Sequence, residues 1–245
     1  MTMAMSHRWP LERLIFVNEL ENIMDHLKFL GAESNKDDTR CVNSGNCCKI
    51  GLVIPMVESY RIAYHIYREY MRIYADVSPA EASKYQENIL NSLIAALGRD
   101  EWTWENHYPN DDLKCAFWDY GCTIHSFNPF ICSAYGTITN TDDMCPRQRN
   151  EHGVVNYFRG KDVYNLIIDY KSIIKRWGKK YPQEAYVTYM PVGILKYLLP
   201  DKEIKKLIAN TDPKFWQAPK TYKLPLFQDL EEQNAMFKVD KNLQK

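Results

Sequence analysis

Cys115-Ala116-Phe117-Trp118-Asp119-Tyr120-Gly121-Cys122-Thr123-Ile124-His125-Ser126-Phe127-Asn128-Pro129-Phe130-Ile131-Cys132, continued as far as Cys145-Pro146, is the stretch around which the 245-residue chain is organised. Its four cysteines fall on glycine, proline and aromatic punctuation and follow no helical period, so they mark a loop. A second group, Cys41 with the adjacent pair Cys47-Cys48, lies on another polar stretch and brings the cysteines to seven. Residues 100–150 are rich in aromatics, aspartates and cysteines and read as loop with short extended pieces. A loop that long is uncommon inside a compact domain unless it is functional or held by something other than an apolar core. Thiolates converging on metal would supply that hold. The acidic neighbourhood, with Asp111, Asp112, Asp119, Asp142 and Asp143, is compatible with cations.

Soft sulfur ligands favour zinc or an iron–sulfur cluster, here of the 4Fe-4S type, over magnesium or calcium. The candidate ligands are Cys41, Cys47, Cys48, Cys115, Cys122, Cys132 and Cys145, with His125 as an additional donor. Seven thiols and one imidazole would suffice for two four-coordinate sites. Neighbouring side chains of an extended backbone point to opposite faces. Cys47 and Cys48 therefore reach one site only if the backbone turns there; otherwise one of them packs or serves a second ion. The plainer alternative is a set of buried structural thiols, because cysteine behaves as a small hydrophobe. Such thiols are more often scattered through helices, and the clustering on loops points to metal. His125 on its own also fits a hydrogen-bonded structural residue. Cys47 as a nucleophile paired with a distant histidine is the weaker reading, given the other thiols around it.

Outward from the cysteines the pattern is helical. Residues 10–30 carry an apolar stripe through Leu14, Val17, Leu20, Met24 and Leu27, with Pro10 at the start and Gly31 placed to end the helix. Residues 50–54 read as a short strand, and Pro55 opens a second helix running to Ile73. Its tyrosines, Tyr60, Tyr64, Tyr67, Tyr70 and Tyr74, follow a helical stripe expected to pack in the core. Ser78 and Glu81 form a capping box around Pro79, and the helix they open closes at Gly98. Later helices are expected over 163–177, stopping at Gly178, then 192–199, 204–208 and 226–237, with 185–189 extended. The fold class is thus mostly α, with helices around an irregular cysteine-rich metal-binding centre and a few short strands. Residues 1–152 form the helical domain with the metal centre, and 153–245 a helical extension packed on it.

Composition narrows the function class. With 45% hydrophobic and 13% aromatic residues the chain can bury a core. Lys+Arg and Asp+Glu both number 31, so net charge argues for neither nucleic acid nor membrane. The basic run Lys175-Arg176-Trp177-Gly178-Lys179-Lys180 could touch a phosphate backbone but fits better a solvated helix end, its cations near the C-terminal dipole. Nucleic acid is therefore an unlikely partner. No apolar run is long enough for a membrane span, and residues 1–9 do not form a secretory signal. A cytoplasmic address, where thiols stay reduced, is the expectation. Neither a radical Cys-x3-Cys-x2-Cys triad, a His-Glu-x2-His helix nor a glycine-rich phosphate loop is present.

Cys41, Ser44, Cys47 and Cys48, then Cys115 with Phe117, then Gly121, Cys122, Ile124 and His125, then Pro129, Cys132 and Cys145 together resemble the YkgJ-type cysteine-cluster family. That is the zinc- or iron-chelating family with the Cys-x2-Cys-x2-Cys-Cys signature. Ile54, Glu58, Arg61 and Ile62 are similar to the segment that opens the family's helix after the double cysteine. The resemblance implies an iron–sulfur or zinc centre and, by its best-known activity, a protein methylase acting on lysines of flagellin. Ser44 stands at the family's second cysteine, and Asn128 and Ser133 at two arginines. An arginine there would clamp an anion or neutralise a thiolate cluster. Two functions follow: a metal protein whose centre takes part in modifying a protein substrate, or a structural metal module that scaffolds an interaction surface.

Overall fold

A computed structural model describes residues 9–34, 52–97, 115–119, 122–134, 161–211 and 216. Among them the protein is mostly helical. Leu11–Ser34 forms α1, Val53–Pro55 β1, Met56–Asp76 α2, Pro79–Leu97 α3 and Phe130–Ala134 the short α4. Lys161–Lys180 is α5, Val187–Tyr189 β2, Met190–Leu198 α6 and Asp201–Asn210 α7. No described helix is long and apolar enough to cross a membrane. Cys41, Cys47, Cys48, Cys145, Ser44, Gly98 and the helix expected over 226–237 lie outside the described residues.

α2 is the central helix because its first two turns, Met56 through Ala63, are buried on every side. It packs on α1, α3 and α6, and α5 lies against α1. The apolar stripe of α1 (Phe16, Val17, Leu20, Ile23, Met24, Leu27) and that of α5 (Leu166, Ile167, Tyr170, Ile173, Trp177) join one core with α2 and α6. β1 and β2 pair antiparallel, with Val53 opposite Tyr189 and Pro55 opposite Val187. A two-stranded ladder is marginal alone. Here each strand runs straight into a helix, and those two helices, α2 and α6, meet at Gly193. A side chain on Gly193 would start 2.1 Å from Ser59 Oγ and 2.7 Å from Thr188 Cγ2, so only glycine lets α6 approach so closely.

Four local expectations need correction. α1 continues through Gly31 to Ser34, since a lone glycine costs a helix only about 1 kcal/mol and needs a left-handed turn to end it. α5 likewise runs through Gly178 to Lys180. There the missing side chain makes room for Ala185, whose Cβ would lie 3.0 Å from a Cβ at 178. The tyrosine stripe of α2 leaves the core: Tyr60 is buried, Tyr64 and Tyr67 sit beside Trp9, and Tyr74 is 49% exposed. Residues 115–134 are not wholly irregular, because His125–Phe127 forms a 3-10 turn and α4 follows. Elsewhere the agreement is close. Of the expected capping box at Ser78 and Glu81 one half is present, Ser78 Oγ accepting the Glu81 N–H at 3.1 Å. The Ser78 N–H is already given to Ile73 O at the end of α2, so one turn closes one helix and opens the next.

Candidate metal-binding loop

Residues 115–134 are held first by their own turns. Trp118 N–H donates to Cys115 O, Thr123 N–H to Phe117 O, and His125 N–H to Cys122 O. A single bridge joins Trp118 and Cys122. Phe117, Ile124, Phe130 and Ile131 are buried in the core, while Cys115, Cys122 and Cys132 are half-buried and pack against it. His125 is exposed. The Phe117 N–H faces Cys115 Sγ at 3.5 Å.

Three successive carbonyls and the next available N–H are then gripped by charged side chains of α1 and α2. Lys28 Nζ donates to Ser126 O at 2.9 Å. Arg61 Nη2 donates to Phe127 O at 3.2 Å and to Asn128 O. Pro129 has no N–H, and the Phe130 N–H donates to Glu58 Oε1 at 2.6 Å. Tyr170 O–H, from α5, donates to the other oxygen of Glu58 at 2.9 Å, and its ring stacks on Phe130 with centroids 4.2 Å apart. Burial pushes the Glu58 carboxyl above its usual range, and Arg61 and the two hydrogen bonds only partly offset this. Tyr170 is pushed well above its ordinary value by burial and by Glu58, so it stays protonated as a donor.

Behind Arg61, Nη1 donates to Glu21 Oε1 at 2.8 Å, and the same oxygen accepts from His65 Nε2 at 2.7 Å. His65 also stacks on Phe127, at 5.0 Å and 14°. Burial alone would raise Glu21; the His65 bond and the Arg61 charge outweigh it and bring it to about 2.

Asn128 and Ser133, the positions where the resembling family has arginines, bond to each other: Ser133 Oγ donates to Asn128 Oδ1 at 2.6 Å. Neither presents a cation. A groove of about 540 Å3 opens elsewhere, lined by Met56, Val57, Ile174 and Trp177 among others, and no described cysteine lines it. The basic segment of α5 is an exposed helix face on which Arg176 pairs with Glu19 and Lys180 with Glu12, while Trp177 turns into the core.

Among the described residues, no three of His, Cys, Asp and Glu gather as a group able to hold a metal ion. Cys115, Cys122, Cys132 and His125 therefore do not complete a centre by themselves, contrary to the picture of helices around a finished cysteine site. The donor chemistry suits zinc or iron–sulfur, but a full set would have to draw on Cys41, Cys47, Cys48 or Cys145. Tyr170, Glu21, His65 and Lys28 had no place in the sequence reading. The one available signal was Glu58 and Arg61, a charged pair three residues apart inside an otherwise apolar helix start.

No protein-family model, no curated protein and no solved structure matches the chain. The likeness to the cysteine-cluster family thus rests on the quoted motif residues alone.

Proposed function

We propose that the protein is a metal-binding cysteine-cluster protein holding an iron–sulfur cluster or zinc. Cys115, Cys122 and Cys132 would supply ligands from one loop, and Cys41, Cys47, Cys48 and Cys145 the remainder. The observation that carries this reading is that three half-buried thiols ride on a segment whose main chain is fastened to fully buried Glu58 and Arg61. Fixing an irregular, thiol-bearing backbone to buried charges makes physical sense where ligand positions matter. A reducing, cytoplasmic compartment is the setting such thiols require.

The family's lysine-methylating activity on a protein substrate is the catalytic form of this proposal. The Asn128–Ser133 bond favours the non-enzymatic form, a structural module, because the two positions bind each other and offer no anion clamp. Protein purified without air and analysed for metal decides the matter. Brown colour with charge-transfer absorbance identifies an iron–sulfur cluster, and a colourless protein with stoichiometric zinc identifies a zinc site. Cys122→Ser and Cys132→Ser should each lower metal content. Absence of both metals from the full chain would end the proposal.

A further inference from the structure

We infer that the groove bordered by the start of α2, the end of α5 and the turn leading into β2 binds a small carboxylate with an apolar body. The inference is independent of the metal proposal, since no described cysteine lines this groove.

The groove holds about 540 Å3, a size that suits a small molecule. Met56 and Val57 from α2, Ile174 from α5 and Val187 from β2 give it an apolar lining, which favours a hydrocarbon body over water. The polar groups beside that lining decide the other end of the occupant. Lys175 is exposed and has no ion-pair partner among the described residues. Tyr186 accepts a hydrogen bond from Lys196 Nζ at 2.8 Å, and its own hydroxyl proton meets no acceptor among the described residues. Trp177 has a buried Nε1 that likewise finds no partner there. Buried donors without acceptors are rare in folded proteins, so an acceptor brought by a ligand is their natural complement. The acidic residue of the lining, Glu184, has its charge answered already: Arg13 donates to both oxygens and Tyr197 O–H to one of them. The lining thus offers a cation and a set of N–H and O–H donors, with its carboxylate neutralised. A cationic or purely apolar ligand leaves those donors unanswered. A carboxylate answers them while its body covers the apolar wall. Gly178 and Ala185 meet at the same groove, where a Cβ at 178 would lie 3.0 Å from that of Ala185. A longer side chain at 185 would therefore take up space in it.

The test is isothermal titration calorimetry of the full chain with decanoate, kept below the concentration at which it forms micelles, and with decanol as its uncharged match. Decanoate should bind about tenfold more tightly than decanol, the share owed to hydrogen bonds made by a charged group. Lys175→Glu should weaken decanoate about tenfold and leave decanol unchanged. Ala185→Leu should weaken both ligands, because it fills the groove. Lys202→Glu, at an exposed lysine of α7 outside the groove, should change neither. The Tm of each variant is measured alongside, and Lys175→Glu, which alters an exposed side chain, decides the matter if Ala185→Leu melts early. Absence of decanoate binding, equal affinity for decanoate and decanol, or wild-type decanoate affinity in Lys175→Glu overturns the inference. So does unchanged binding in a folded Ala185→Leu variant. An equal loss in Lys202→Glu overturns it as well, by marking a general attraction of anions to surface lysines.

Discussion

Arg13 and Arg61 are both drawn into the protein, and they are used in opposite ways. Arg13, near the start of α1, forms a two-point pair with Glu184 at 3.0 and 3.1 Å, and Tyr197 O–H donates to the same carboxylate. Its guanidinium lies over the rings of Tyr181, Trp177 and Tyr60 at 4.3, 5.1 and 5.4 Å. Every partner there is a side chain, Tyr60, Trp177 and Tyr197 on helices and Tyr181 and Glu184 on the short turn that follows α5. Arg61 directs one nitrogen to Glu21 and the other to backbone carbonyls of an irregular segment. The first arrangement welds elements that apolar packing would already bring together. The second fastens the main chain of a stretch whose side chains, Ile124, Phe130 and Ile131 among them, already pack in the core.

The sharpest way to break this contrast is to remove each guanidinium. Arg61→Ala should cost about 3–5 kcal/mol in urea unfolding, because it leaves buried acceptors without a partner. Arg13→Ala should cost less, since the Arg13 side chain is 17% exposed and that of Arg61 0%. The reverse order would show that the aromatic weld, and not the loop anchor, carries the greater load.

Acid separates the two carboxylates that flank Arg61. Glu21 has a folded value of about 2 against an ordinary 4.5. Its contribution is complete above about pH 4.5 and is lost as pH falls towards 2, on the order of 2–3 kcal/mol. Glu58 is shifted upward. Its contribution has the opposite sign: fullest below the unfolded value and lost as pH rises through the folded one. Unfolding followed against pH should therefore show Glu21→Gln flattening the acid limb and Glu58→Gln flattening the limb above it. Matching profiles for the two variants would refute the assignment.

Ser78→Ala gives the smallest effect and a control far from both arginines. Losing the cap at the start of α3 should cost about 1 kcal/mol by thermal melting and leave metal content unchanged. A loss of metal in that variant would mean that α3 supports the cysteine loop.

How much could be read in advance follows from where each signal resides. The helices were legible because apolar side chains recur along one face, and the turn at Ser78-Pro79 because its chemistry is local. Gly31 and Gly178 misled because glycine permits a stop without imposing one. At 178 the reason for glycine is Ala185, which the local sequence does not indicate. The anchoring of residues 126–130 was illegible for a different reason. Ser126, Phe127, Asn128 and Phe130 take part through main-chain atoms that every residue has in some form, so their identities carry no trace of Lys28, Arg61 or Glu58. Of the candidate loop, the thiols were apparent from the sequence, and the anchoring of the main chain over 126–130 was not.

The ladder between β1 and β2 has a bearing on biosynthesis. Val53 and Ile54 leave the ribosome long before Thr188 and Tyr189 exist, and the Ser59 side of α2 has no Gly193 to close on. The nascent first half therefore cannot complete its packing while translation continues. Its central helix must wait with apolar surface uncovered until α6 emerges, which makes the last step of folding a late, long-range one.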